Sequence, residues 1–482
     1  LDNRLSVVLD LGKTLSKLSL WDATGKMLAR RTRPNGQVMA MLGGEALRVL
    51  DAAGIETWAA EVLREFAGLG PIARIMPVGH GAAAAILRNG ALVAPPLDYE
   101  QAIPAEVVTS YLGQRDPFAR TGSPVLADGL NLGLQLHFLE QLDPGLLDGD
   151  AMILPWPQYW AWRFSGIAAS EVTSLGCHSD LWRPTFGTPS ALAKRRGWAA
   201  RLAPLRHAGE KIGTVSAEWA ARTGLADDVA VHCGLHDSNA ALLAARGFAE
   251  IADKESTVLS TGTWFVAMRT PGEGAQVDLT GLPEACDCLV NIDAHGMPIP
   301  SARFMGGREI ELLTGIDTRR VDINPDQPAI IAALPGVVAA GAMVLPTLTP
   351  GVGPFPSGTT RWINRPDASI ELRAAVCLYA AMVADASLAL IGARERVLVE
   401  GRFAQAQAFI RTLATLRPDL QVLVANQHND VSYGALRLID PALAPPSELI
   451  QVQPLDCDLT AYVAHWRALA TGSREAASAA AE

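Results

Sequence analysis

Residues 5–9 are apolar except Ser6 and run into Asp10, the pattern of a buried strand. Residues 18–22 alternate as a second strand, 23–26 supply a turn, and 27–32 return as a third. Leu47, Leu50, Ile55, Trp58, Val62 and Phe66 recur at helical spacing and predict one helix over 43–69. A further strand over 72–78 ends in Gly79-His80-Gly81. Strands, a helix, then a strand with glycine at its carboxyl end describe a ribonuclease-H-like α/β module. Helices are predicted over 132–142, 155–164, 191–202 (Ser190 as N-cap) and 217–223, then a strand over 229–233 and a helix over 239–245.

From Thr257 the order restarts. A strand precedes Gly262, a second covers 264–268, and 346–358 is a loop stiffened by proline. A long apolar helix over 370–391 leads to a strand at 396–399, ending in Glu400-Gly401-Arg402. A helix over 404–416, a strand over 421–424 and a helix over 432–439 follow. The division is expected near residue 245. It gives an N-terminal domain over 1–245, a C-terminal domain over 246–445 and a helical tail over 446–482, frayed or disordered from Ala470.

With 482 residues the chain is too long for one ordinary core, which agrees with two domains. Its formal charge of −10 and the lack of a Lys/Arg stripe argue against nucleic acid and anionic membranes as partners. Six cysteines are too sparse for a disulfide scaffold and read as reduced thiols. No signal peptide and no apolar run of membrane-spanning length are recognised, so a cytoplasmic protein is expected. A homodimer is the default assembly.

Three short segments carry candidate chemistry. In Asp10-Leu11-Gly12-Lys13-Thr14, Gly12 allows a tight turn, Lys13 and Thr14 reach toward phosphate oxygens, and Asp10 offers a carboxylate to Mg²⁺ through water. The alternative is a hairpin turn with a solvated lysine. In Gly234-Leu235-His236-Asp237-Ser238-Asn239, the aspartate lies between a strand and a helix start. It is either an N-cap or a base at the carboxyl end of a strand, where ligands of α/β proteins collect. Ser260-Thr261-Gly262-Thr263 is either a Ser/Thr turn or a second phosphate loop. Gly401 either gives a tight turn or lets an adenine ring lie against the backbone.

The order of these segments resembles the FGGY carbohydrate kinase family, of the actin/hexokinase superfamily, over residues 5–439. The first loop is similar to that family's D-x-G-T-T/S loop, with Lys13 at a position usually filled by a small or polar residue. Gly79-His80-Gly81 resembles a sugar-contacting strand end. Phe164-Ser165-Gly166 with Glu171-Val172-Thr173-Ser174 resembles L-[ST]-G…T-[DE]-x-[ST]-N-A-S. His236-Asp237-Ser238 is nearest the H-D-T of rhamnulokinases and related L-ketose kinases, and Ser260–Trp264 resembles their S-[ST]-G-T-W. Two stretches depart from the family. Its G-G-G-x-x-N reads Glu400-Gly401-Arg402-Phe403-Ala404-Gln405 here, and its W-x-D segment reads Leu97-Asp98-Tyr99-Glu100-Gln101.

The resemblance implies two ribonuclease-H-like, actin/hexokinase-type domains flanking a catalytic cleft. It implies ATP and Mg²⁺, and a phosphoryl transfer to the primary hydroxyl of a ketose such as L-rhamnulose or L-fuculose. Asp237 becomes the general base. His80, Gly81, His236, Ser238 and Arg303, with Asp98 and Glu100 in the departing segment, become sugar contacts. Gly12, Lys13, Thr14, Gly262, Thr263, Glu311 and Gly401 become nucleotide contacts, with Arg402 or Phe403 stacking on adenine, and Asp10 the metal ligand. A kinase for xylulose, ribulose or a small polyol is the alternative. A non-catalytic sensor of the same fold, or an ATPase regulating a protein partner, represents a different class.

Overall fold

The computed structural model describes residues 4–425, 431–445 and 447–472; the expected frayed end beyond that lies outside the described residues. The chain divides into two compact units. One holds Leu1–Gly247, Val290–Pro298 and Asp430–Pro445; the other holds Phe248–Leu289, Ile299–Asn429 and Pro446–Glu482.

The first unit is built on a mixed sheet in the order Lys211–Thr214, Ala230–His232, Ile72–Gly79, Leu5–Leu11, Leu15–Trp21, Met27–Pro34. Leu5–Leu11 pairs in parallel with Ile72–Gly79 and antiparallel with Leu15–Trp21. Val7, Leu9, Leu11, Ile75 and Val231 are fully buried, and the Trp156–Ser165 and Ala52–Ala67 helices pack against the same core. This burial on both faces explains the unbroken apolar runs of the central strands.

The second unit repeats the plan. Ser256–Thr261 pairs antiparallel with Phe265–Thr270 and in parallel with Arg396–Gly401, in a seven-stranded sheet. The Ser369–Leu390 helix lies in its core, with Ala374, Ala375, Ala384 and Leu388 fully buried. By length and composition this helix passes as a membrane span, which corrects the expectation that no run would. Its burial accounts for that composition, since a core helix is apolar all round.

Three sequence expectations give way. Residues 43–49 are not helical: Val38–Leu42 and Glu45–Val49 form a hairpin. Its turn is Gly43-Gly44, both at positive φ (58° and 86°). The helix starts only at Ala52, where the Asp51 carboxylate accepts from Gly54 N at 2.9 Å. Asp430–Pro445, expected in the C-terminal domain, belongs to the first unit. There the Val431–Ile439 helix lies against Asp237–Ala245 so closely that any Cβ at Gly434 would strike the Ala240 carbonyl. Residues 449–471 are not a detached tail, for Trp466 Nε1 donates to Val344 O at 2.6 Å inside the second unit's core.

Candidate active site

In the first unit the candidate residues meet at the carboxyl edge of the sheet. Gly79 lies opposite Leu11 in one ladder and opposite His236 in the other. The Gly12 loop, His80 and the start of the Asp237–Ala245 helix therefore leave the sheet side by side. That is the edge at which α/β sheets bind ligands.

His236 occupies the N-cap position, without a side-chain cap, and Asp237 is the first helical residue. The N-cap reading of Asp237 therefore fails. Its Oδ1 accepts from Ser238 N at 2.6 Å and Ser238 Oγ at 3.3 Å, and lies 3.2 Å from His236 Nε2. Among the described residues every hydrogen bond given to this half-buried carboxylate falls on Oδ1, which leaves Oδ2 for another donor. His236 is buried, and burial, opposed only by the charge of Asp237, pulls its pKa below the usual histidine value. Gly81 packs against Cys177 and His236, where a Cβ would lie 2.8 Å from the Cys177 sulfur.

A cavity of about 210 Å³ is lined by Gly12, Lys13 and Thr14, expected on the nucleotide, together with His80, Asp98 and Glu100, expected on the sugar. It is also lined by Arg48 and Trp156, which the sequence reading missed. Lys13 Nζ donates to Asp98 Oδ1, lies 3.6 Å from Glu100 and sits 4.8 Å above the Tyr99 ring. Lys13, expected on phosphates, is thus tied to the segment expected on the sugar. Arg48 Nε donates to Asp98 Oδ2 at 2.8 Å, and Arg48 Nη2 donates to Glu100. Burial works to raise the Asp98 carboxyl, but the Lys13 hydrogen bond, the Glu100 amide and the charges of Lys13 and Arg48 prevail and hold it low. Tyr99, edge-on to His80 at 5.4 Å, is pushed up to about 12, by burial first and then by Glu100, Asp237 and Asp98. His80 Nδ1 contacts Gly81 O at 2.8 Å, and burial lowers the pKa of the ring.

Asp10 is buried and its Oδ2 is paired with Lys17 Nζ at 2.9 Å. Among the described residues no group of three His, Cys, Asp or Glu side chains is assembled to hold a metal ion. A single carboxylate already matched by a lysine does not fit a resident metal site.

In the second unit, Gly262 closes a hairpin by donating to Trp264 O at 3.0 Å, and the Gly306–Thr314 helix begins against that turn. Glu311, on this helix, lies 3.7 Å from Arg402 and 3.7 Å from Arg319. Arg402 Nη1 donates to Thr318 Oγ1 at 2.7 Å. Gly401, at φ 85°, lies opposite Thr261 in the parallel ladder, and a Cβ there would run into the Thr261 carbonyl. The fold alone therefore demands this glycine. Phe403, expected to stack on adenine, is instead a core residue only 3% exposed, its ring 5.2 Å from that of Phe265. Thr261 Oγ1 pins it there by accepting from Phe403 N at 3.0 Å. Arg303 pairs with Asp287 at 2.8 Å and lies over the Trp264 ring. Thr263 N-terminal to the helix accepts from Arg308 N at 3.3 Å through its carbonyl.

Comparisons with known proteins bear on the family and the fold. The family model "Carbohydrate kinase FGGY, C-terminal domain" matches residues 253–446. The crystal structure of a carbohydrate kinase from Novosphingobium aromaticivorans is 58% identical, with a TM-score of 0.93, over 98% of this chain and 100% of that one. The chain belongs to the FGGY carbohydrate kinase family. An L-fuculokinase of Escherichia coli K12 is 29% identical over 193 residues, 39% of this chain and 39% of that relative. A gluconate kinase from Lactobacillus acidophilus, at 14% identity and a TM-score of 0.78 over 99% of both chains, shares the fold alone. Membership agrees with two sheets of one plan in a single chain.

Proposed function

We propose that this FGGY protein is a cytoplasmic enzyme that transfers the γ-phosphoryl group of ATP to a primary hydroxyl of a ketose. Asp237 is the general base. One observation carries the reading: Asp237 Oδ1 is engaged by Ser238 and faces His236, while Oδ2 is left for a donor at the carboxyl edge of the sheet. A hydroxyl is a poor nucleophile, and a carboxylate that takes its proton as the phosphoryl arrives contributes about 10²–10⁴-fold in rate. A divalent cation carried on the nucleotide's phosphates would neutralise their charge.

Asp98 and Glu100 are each matched by Lys13 or Arg48, so the cavity offers no net positive charge to a sugar acid. This favours a neutral sugar over a gluconate-like substrate. The match to an L-fuculokinase and the His236-Asp237-Ser238 motif support an L-ketose such as L-fuculose or L-rhamnulose. ADP release measured over L- and D-ketoses, aldoses, polyols and gluconate tests the reading. The largest kcat/KM is expected with an L-ketose. A preference for xylulose, ribulose or a small polyol would move the assignment within the family, and the absence of turnover on every sugar would leave a sensor.

A further inference from the structure

Asn239 is 1% exposed and one turn into the helix that Asp237 opens. Its amide nitrogen lies 3.3 Å from His236 Nδ1, and its Oδ1 meets no protein donor among the described residues. The other ring nitrogen, Nε2, faces Asp237 Oδ1 at 3.2 Å and the Cys177 sulfur at 3.3 Å. A carboxylate only accepts, so its approach favours a proton on Nε2. In a neutral ring Nδ1 is then a bare lone pair, and the group it needs is the NH₂ of an amide. One tautomer therefore suits both contacts.

The backbone is fixed as well. His236 N donates to Thr173 Oγ1 at 2.9 Å, and that hydroxyl donates to the buried Glu171 carboxylate, which also accepts from Thr173 N at 2.9 Å. The titratable groups around His236 are Asp237 on its own helix start, Cys177 and Glu171 on the 171–177 segment, and His80 at the neighbouring strand end. Only Asp237 brings a negative charge directly onto the ring.

We propose that Asn239 is a positioning residue: by donating to His236 Nδ1 it keeps the imidazole neutral with its proton on Nε2. That proton faces Asp237 Oδ1, which Ser238 also engages, and leaves Oδ2 for the acceptor alcohol. Asn239 itself touches neither substrate nor reacting atoms. A charged imidazolium would pair with Asp237 and weaken it as a base, and the neutral tautomer avoids this. The inference rests on Asp237 being the base, but the state of the ring can be read without activity.

The test uses the full chain labelled with ¹⁵N-histidine. His236→Gln identifies the His236 signals among the nine histidines, and long-range ¹H–¹⁵N correlation reports which nitrogen is protonated. The wild type is expected to be neutral at pH 7 with the proton on Nε2. Asn239→Asp, which accepts where the amide donates, is expected to protonate both nitrogens. It should also raise the acidic limb of the kcat/KM profile by about one pH unit or more. Asn239→Ser keeps a donor and is expected to retain the tautomer and the profile, whereas Asn239→Ala is expected to lose the single tautomer. The Ser and Ala variants carry the test if the buried Asp variant does not fold. A wild-type ring protonated on Nδ1, or an Asn239→Ala protein with unchanged ring signals and pH profile, would overturn the proposal. A fully active Asp237→Asn protein with the Nε2 proton intact would instead refute the base and leave the tautomer assignment standing.

Discussion

Arg48 Nε donates to Asp98 Oδ2 at 2.8 Å, from a hairpin that the sequence reads as helix. The pair orients the carboxylates of Asp98 and Glu100 at the wall of the cavity. Arg48→Met is expected to raise the sugar KM by about tenfold or more with kcat within a few-fold, the signature of lost substrate positioning. Steady-state kinetics on the preferred sugar checks this, and an unchanged KM would remove Asp98 and Glu100 from sugar recognition.

Lys13, expected on the phosphates, is paired instead with Asp98 of the segment expected on the sugar. Its bond to Asp98 predicts that Lys13→Met raises the sugar KM more than the ATP KM. Titrating each substrate with the other saturating decides it. A selective rise in the ATP constant would return Lys13 to the phosphates.

Most of the fold was legible because buried strands and amphipathic helices have strong periods. The Ser190 cap, the Trp156–Ser165 helix and the restart at Ser256–Thr261 follow from that pattern. Arg48 was hidden because Leu47 and Leu50 lie in phase with the true helix beyond them, while the Gly43-Gly44 turn that breaks the phase needs positive φ at both residues. Phe403 failed for another reason. An aromatic beside a glycine-containing loop reads as a stacking surface, and only tertiary packing reveals that its ring fills the core. Asp237 stood out in sequence, but setting aside the cap reading required the observed N-cap at His236.

Gly401 is a folding residue in this structure. Gly401→Ala places a Cβ against the Thr261 carbonyl and a side chain at φ 85°, and is expected to cost about 1–3 kcal/mol. Thermal or urea unfolding measures it. A variant of wild-type stability with a raised ATP KM would point to direct nucleotide contact instead.

Glu171 gives the stability a pH dependence. Burial is the largest influence and raises its carboxyl from 4.5 to about 7, against the hydrogen bonds of Thr173 and Ser174. A pKa raised on folding means that the native state binds the extra proton. The contribution is therefore complete below pH 4.5 and is lost as pH rises through about 7. Wild-type stability is expected to fall more steeply than that of Glu171→Gln across this window, measured by urea unfolding at a series of pH values. Parallel curves would show that folding does not raise the Glu171 pKa.

The central claim is tested most directly by ADP formation from Asp237→Asn, with folding verified by unfolding midpoint and sugar binding verified by calorimetry. The variant keeps the shape of the side chain and loses only the carboxylate that receives the proton. It is expected to bind sugar and to turn over at least about a hundredfold more slowly than the wild type. Turnover near the wild-type rate in a folded, sugar-binding variant would contradict Asp237 as the base.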